Sequence, residues 1–287
     1  MLVLVNVASG TLSSADERDR LRALMDEAGL EPRFVPVKGA REVEDAIGSH
    51  SDETVVAAGG DGTVGAVASF LLGTPRTLGV IPGGTLNHFA KDLHIPLDFA
   101  DAVTLLRARP VRCVDVAEVN GRAFINNSSL GMYPQIVRER EKIRRRGVRK
   151  WTAFAFAVLR TMSRWPLLRV RLEVEGRAIR RLTPFVFVGN NRYELEGLRM
   201  GSRARIDRGE LCLYAARKMS RAGLVGMVAR GLLGGLRHSG DLDVISAREL
   251  WVNARRFVDV ALDGEVVRLR SPLHYTIRPG ALRVIAP

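Results

Sequence analysis

A carboxylate stands where the local sequence otherwise favours a phosphate. In "TVVAAGGDGTVGAV", Thr54 to Val67, an apolar run ends in Gly59-Gly60, Asp61 follows, and Gly62-Thr63 opens an apolar, helix-like segment. A strand that breaks into glycines before a helix presents bare N–H groups and the positive end of the helix to an anion. Asp61 opposes this, because two unit negative charges about 4 Å apart repel by roughly 4 kcal/mol at a surface-like effective dielectric. The side chain must point away and brace the turn, cap the helix that follows it, or meet phosphate through a divalent cation, directly or by way of water. A second glycine turn, Pro82-Gly83-Gly84-Thr85-Leu86-Asn87, follows the next apolar run, and Asn6 with Ser9-Gly10 closes the first. Small residues and hydroxyls at three neighbouring strand ends make a cradle suited to a polyphosphate.

Two familiar glycine patterns do not account for these turns. Gly60-Asp61-Gly62-Thr63-Val64-Gly65 fits G-x-G-x-x-G, but no acidic residue stands between Asp61 and Asp92 to hold a ribose, and the turn follows the third apolar run, not the first. No Lys-Ser or Lys-Thr pair follows the glycines, so the Walker pattern fails as well. Cys113 and Cys212 are too few and too far apart for a zinc site or a disulfide framework, which fits a reducing cytoplasm.

The elements that position these turns follow from the periodicity. From Leu2 to Pro82 short apolar runs alternate with helix-like segments, "LVLVNV", "RFVPV", "TVVAA" and "TLGVIP" being the runs. Ser14 to Glu17 has the capping-box pattern before the first helix. Alternation at this pace predicts a doubly wound parallel α/β sheet, whose ligands sit at the carboxyl ends of the strands. After Val111 the pattern becomes mostly antiparallel, with two-residue turn signals at Asn120-Gly121, Glu175-Gly176 and Asp263-Gly264. The fold class is therefore α/β plus β: an α/β domain over 1–118, rejoined by a strand at 279–287, and a β-sandwich domain over 119–278. Helical insertions are expected over Pro134 to Ser163 and Ser220 to Leu236.

Taken together and in order, "GGDGT" at 59–63, "PGGTLNHFAKDL" at 82–93, "SLGMYP" at 129–134, "VGNN" at 188–191 and "LDGE" at 262–265 resemble the bacterial diacylglycerol kinase catalytic family, lipid kinases related to sphingosine kinases. "GGDGT" alone would also admit NAD kinases; "GTLNHFA" and the late "DGE" discriminate for lipid kinases. The resemblance implies an NAD kinase-like α/β domain and a sandwich closing over ATP and Mg2+, with the terminal phosphate passing to a lipid hydroxyl. By position, Gly59, Gly60, Gly62, Thr63, Gly84 and Thr85 would hold the phosphates, with Asn6 and Asn87 nearby, and Asp61 would meet them through magnesium and water. Asp263 would take the hydroxyl proton, although Asp-Gly is also the commonest hairpin connector; Glu265 would orient or contact. Asp207 and Glu210 would bind a second, structural magnesium, with Arg208 standing where relatives have a further aspartate. His88 likewise replaces an aspartate of the family pattern. Asp115 is either a cleft residue or a structural acid. The alternatives to a diacylglycerol kinase are a kinase of another acceptor and a non-catalytic, lipid-binding relative.

The chain of 287 residues carries a net charge of +13, which favours an anionic partner, although arginine bias alone would produce much of it, lysine occurring only at 38, 91, 142, 150 and 218. Basic residues gather at 138–150, "REREKIRRRGVRK", ahead of the aromatic stretch "WTAFAFAVLRTMSRW". That order suits the interface of an anionic membrane, and the expectation is a cytoplasmic protein held peripherally at the inner membrane face. A solvated helix beside a core helix is the alternative. No RRM, zinc or helix-turn-helix signature marks a nucleic-acid partner. An edge strand would be free to pair across a homodimer, but nothing in the sequence marks it.

Overall fold

Four consecutive aliphatic side chains, Leu2 to Val5, suit only a strand covered on both faces. In the computed structural model, which describes residues 1–8, 10–144, 160–161, 167–194, 201–216, 223, 226 and 242–287, they are buried in β1 (Leu2–Asn6). The chain forms two compact units, the first comprising Met1–Val116, Arg205–Arg208 and Arg278–Pro287, the second Ala117–Ala204 and Gly209–Ile277.

In the first unit, β1 is followed by α1 (Ala15–Glu27), β2 (Arg33–Val37), α2 (Ala40–Gly48), β3 (Thr54–Gly59), α3 (Asp61–Leu71), β4 (Thr77–Pro82), α4 (His88–Asp92), α5 (Phe99–Ala108) and the start of β5 (Val111–Val119). β1 pairs in parallel with β2 and β3, and β3 with β4, with Gly59 opposite Pro82. Val3, Val5, Val56, Ala58 and Ile81 pack against Leu21 and Met25 of α1 and Phe99, Val103 and Leu106 of α5, so helices cover the sheet as the alternation requires. The capping box at Ser14 does not form: Ser14 is the N-cap residue of α1 but makes no side-chain capping bond. Arg18 from the same turn donates instead to the carbonyls of Leu12 and Ser13. Asp98 does cap α5, accepting from the Ala100 N–H at 2.8 Å.

The second unit contains the end of β5, β6 (Arg122–Phe124), β7 (Asn127–Gly131), α6 (Met132–Arg144), β8 (Leu168–Val174), β9 (Arg177–Thr183), β10 (Phe185–Asn190), β11 (Leu211–Ala216), β12 (Leu242–Ala247), β13 (Glu249–Asn253), β14 (Phe257–Leu262), β15 (Glu265–Arg270) and the start of β16 (Leu273–Ile285). One antiparallel sheet runs β12-β11-β10-β7-β14-β15, and β16, β13, β8 and β9 pair antiparallel in that order in another. Leu130, Val186, Val188, Leu213 and Val260 of the first sheet share a core with Leu172, Leu250, Val252 and Tyr275 of the second, which makes the sandwich. Three tight turns carry it. Asn120-Gly121, Glu175-Gly176 and Asp263-Gly264 all have positive φ at both residues, the type I′ conformation that matches strand twist. Of the expected helical insertions, α6 and residues 160–161 are helical; the rest of the first and nearly all of the second lie outside the described residues.

β16 belongs to both units. Glu249 to Val252 of β13 pair antiparallel with Thr276 to Leu273, whereas Arg283 and Val284 pair in parallel with Thr77 and Leu78 of β4.

Candidate functional site

The carboxyl ends of β1, β3 and β4 are Asn6, Gly59 and Pro82, so all three small-residue turns lie along one edge of the parallel sheet. Side chains and backbone stitch them together. Asn6 Nδ2 donates to Thr63 Oγ1 at 2.8 Å, and Asn6 Oδ1 accepts from the Ala8 N–H at 2.9 Å. The Gly83 N–H donates to Gly59 O at 2.8 Å, and Gly83 O accepts from Thr11 N–H at 2.9 Å. Glycine is required here by packing. A Cβ on Gly84 would lie 2.5 Å from Gly60 Cα, and one on Gly10 would lie 2.2 Å from Gly83 O. The two turns thus touch backbone to backbone. The N–H groups of Asp61 and Gly62, in the first turn of α3, have no intrahelical acceptor and carry the positive end of the helix dipole.

Asp61 caps a helix, but not the one its own turn opens: it caps α4. Asn87 is the N-cap residue of α4 in the left-handed region, φ 50°, which asparagine tolerates. Its side chain turns back onto the glycine turn, Oδ1 accepting from Gly84 N–H at 3.0 Å and Nδ2 donating to Gly84 O at 2.9 Å. Asp61 Oδ1 takes over, accepting from the Phe89 N–H of α4 at 3.1 Å. The carboxylate therefore joins the two glycine turns, and its Oδ2 makes no hydrogen bond or ion pair among the described residues. Thr85 is exposed at the tip of the second turn, and His88 is exposed at the start of α4.

In the second unit Asp263 is both a turn residue and a charged centre. At φ 46° it is the first central residue of the β14–β15 hairpin. Its carboxylate accepts three backbone N–H groups, Ile125 at 2.8 Å to Oδ2 and Asn126 and Asn127 at 2.8 and 2.9 Å to Oδ1. Burial pushes this carboxyl above the ordinary carboxylate range, against the three N–H groups and the Arg203 guanidinium, which pull it down. Arg203, 2% exposed, supports the same turn from the other side. Its Nη1 donates to Ile125 O at 2.7 Å and Asn190 O at 2.9 Å, and its Nη2 to Asn126 Oδ1 at 2.8 Å. Asn190 Nδ2 adds a second bond to Ile125 O at 2.9 Å. Sequence reasoning did not single out Arg203 or the Ile125–Asn127 turn. The asparagine pairs at 126–127 and 190–191, each beside a strand terminus, were the only signal.

Glu265 is exposed at the start of β15 and has no ion pair among the described residues. Asp207 is paired with arginines. Arg205 Nε donates to its Oδ1 at 2.8 Å, Arg112 Nη2 stands 3.8 Å from Oδ2, and the Arg205 bond holds its carboxyl below the usual range. Asp207 lies in the first unit and Glu210 in the second, and no cluster of three or more acidic, histidine or cysteine side chains with metal-holding geometry occurs among the described residues. Asp115 is a structural acid: 2% exposed, it accepts from the Gly280 N–H at 2.9 Å within the first unit. In the basic segment, Arg138 pairs with Asp259 and Lys142 with Glu139, while 145–150 and most of the aromatic stretch lie outside the described residues. No described helix is long and apolar enough to cross a membrane.

A parallel α/β unit with two packed glycine turns is thus followed by an antiparallel sandwich with an Asp-Gly hairpin. Residues 1–119 match the model of the diacylglycerol kinase catalytic domain, and residues 129–286 that of the YegS C-terminal NAD kinase beta sandwich-like domain. A "Probable lipid kinase YegS-like" of Pseudomonas fluorescens Pf-5 is 32% identical over 237 residues, 81% of this chain and 77% of that protein. A "Diacylglycerol kinase" of Staphylococcus aureus MRSA252 is 28% identical over 271 residues, 92% of this chain and 85% of its own length. A crystal structure of a diacylglycerol kinase from Bacillus anthracis str. Sterne shares the fold, with a TM-score of 0.73 at 18% identity, covering 100% of this chain and 96% of that one. The chain belongs to the diacylglycerol kinase catalytic-domain family that includes the YegS-like lipid kinases.

Proposed function

We propose that this chain transfers the terminal phosphate of ATP, with magnesium, to the hydroxyl of a lipid such as diacylglycerol, working at the inner face of a membrane. The observation that carries the reading is the backbone-to-backbone contact of the glycine turns, where any Cβ on Gly84 would collide with Gly60. The N–H groups at the start of α3 lie beside these glycines, and the turns fit a nucleotide polyphosphate. Gly59, Gly60, Gly62, Thr63, Gly84 and Thr85 would hold it. Asn6 and Asn87 set the shape of the cradle through their bonds to Thr63 and Gly84. Bound magnesium would supply charge neutralisation of the phosphates, with Asp61 Oδ2 as the carboxylate oxygen able to reach it through water.

Phosphoryl transfer needs positioning, charge neutralisation and a group that accepts the hydroxyl proton. Asp263 is the proposed base. Its raised proton affinity suits that task better than an ordinary carboxylate would, because the proton-accepting group works best when its pKa approaches the working pH. The three N–H donors and Arg203 keep it oriented and ionisable despite burial. Glu265, exposed beside it in the hairpin, is proposed to orient the acceptor. The basic segment 138–150 is proposed to hold the protein against anionic lipid.

The test is transfer of labelled terminal phosphate from ATP, with magnesium, to a panel of lipid alcohols in anionic micelles, with Asp263→Asn beside the wild type. Labelled lipid from wild type and a loss of at least about 100-fold in the variant, with nucleotide binding retained, would support both reaction and base. Nucleotide binding without product from any lipid would overturn the lipid acceptor.

A further inference from the structure

At the other end of the parallel strands, where β3 begins at Thr54 and β4 at Thr77, a pocket of about 420 Å³ opens within the first unit. It is lined by Arg76, Arg109 and Arg283 together with Glu53, Thr77 and Ile285, among others. β3 and β4 are six residues long, so at about 3.3 Å per residue this pocket lies roughly 20 Å from the glycine turns. It is a different site.

Three arginines line this pocket, a lining suited to an anion, and among the described residues none of them is ion-paired with a carboxylate. Arg76 is held in place before any ligand arrives, Nε donating to Asp52 O at 2.8 Å and Nη1 to Ile47 O at 3.1 Å. Its remaining nitrogen, Nη2, is buried with no hydrogen-bond partner. That nitrogen is closed off from the pocket, so Arg76 acts on it through its fixed positive charge, while Arg109 and Arg283, both exposed, supply the donors. Arg283 stands opposite Thr77 in the β4–β16 pairing, and Arg109 is fixed in the left-handed conformation, φ 53°, by its N–H bond to Leu105 O at the end of α5. Asp52, whose carbonyl holds Arg76, has its carboxylate occupied by the Met1 ammonium and Arg33. Glu53 is the one carboxylate on the lining, which leaves the wall with an excess of two positive charges.

We propose that this pocket binds a phosphate monoester, either free or as a lipid headgroup. A monoester near pH 7 carries between one and a half and two negative charges, roughly, and three acceptor oxygens, which match the charge excess and the three guanidiniums. A phosphodiester, with about one charge and two free oxygens, matches less well. The proposal does not depend on what the glycine turns hold.

The double variant Arg109→Gln/Arg283→Gln tests it, since both side chains are exposed and the fold can be checked by thermal melting. The full chain is titrated with inorganic phosphate and, separately, floated with phosphatidylcholine vesicles containing phosphatidic acid or phosphatidylglycerol. A control of equal charge change, Arg122→Gln/Arg177→Gln, sits on exposed hairpin positions of the other unit. We expect the pocket variant to lose at least about tenfold in affinity for phosphate, for phosphatidic acid vesicles, or for both, with the control unchanged. Loss with phosphate identifies a free ligand, and loss confined to phosphatidic acid vesicles identifies a headgroup. Equal binding by wild type and pocket variant in both assays, or an equal loss in the control, overturns the proposal.

Discussion

Two groups of backbone N–H donors in this chain meet negative charge in opposite ways. In the second unit, Ile125, Asn126 and Asn127 close on a carboxylate that the chain itself supplies, Asp263. In the first, the donors at the start of α3 are flanked by glycines and tied by uncharged groups, Asn6 to Thr63 and Asn87 to Gly84. Asp61, a carboxylate beside them, spends an oxygen on Phe89. The second unit's nest is completed by a charge of the chain itself, and the first, proposed above to take a visiting anion, is braced by neutral hydrogen bonds and close backbone packing. The second kind is the less stable alone, because its donors wait for a partner.

That contrast can be broken at several points. The largest effect is expected from Arg203→Met, which removes three bonds made by a buried guanidinium and leaves Asn190 O and Asn126 Oδ1 short of donors. Urea unfolding should show a loss of at least about 3 kcal/mol. A loss under about 1 kcal/mol would mean that the second nest stands without its support.

Next comes the pH dependence of turnover. Because burial raises the Asp263 carboxyl, the acid limb of kcat should lie above the range of an ordinary carboxylate, with activity gained as pH rises through that value. The same shift has a sign in stability. A carboxyl that binds its proton more tightly folded than unfolded favours the fold fully below its unfolded pKa, and that contribution is lost as pH rises through the folded one. Wild type should therefore lose stability relative to Asp263→Asn as pH is raised across the acid limb. A difference that stays flat with pH would remove the raised carboxyl from the account.

In the open nest, Gly84→Ala should cost about 1–3 kcal/mol by calorimetry, since its Cβ would overlap Gly60 Cα, a backbone atom that cannot rotate away. ATP binding should fall with it. Asn6→Ala is the gentlest probe: one side-chain bond to Thr63 and one from Ala8 are lost, for about 1 kcal/mol. A weakening of nucleotide binding larger than the stability loss would show that Asn6 shapes the cradle and not merely the fold.

Much of this was legible in the sequence because it depends on backbone conformation that few residues allow. Asn120-Gly121, Glu175-Gly176 and Asp263-Gly264 announced hairpins, and all adopt positive φ. Gly59–Gly62 and Gly83–Gly84 announced turns at strand ends, and both lie there. The partners of polar groups were not legible. Nothing in the sequence pairs Asp61 with Phe89, Asp115 with Gly280, or Arg203 with Ile125, since each bond joins a side chain to a backbone group that every residue possesses. The capping box at Ser14 does not form, and the long-reaching Arg18, which donates to the Leu12 and Ser13 carbonyls, was not legible either.

β16 has a consequence for the order in which the protein can be made. During synthesis the N-terminal unit emerges first, yet Arg283 and Val284, which pair with β4, follow the whole of the second unit in the chain. Until they arrive, β4 presents an unpaired flank of a parallel sheet to the cell, the kind of edge to which other chains add. The nascent first unit is thus exposed to miscarriage for as long as translation of the second unit lasts. A stalled ribosome anywhere in that interval leaves a half-finished sheet and not a finished small domain.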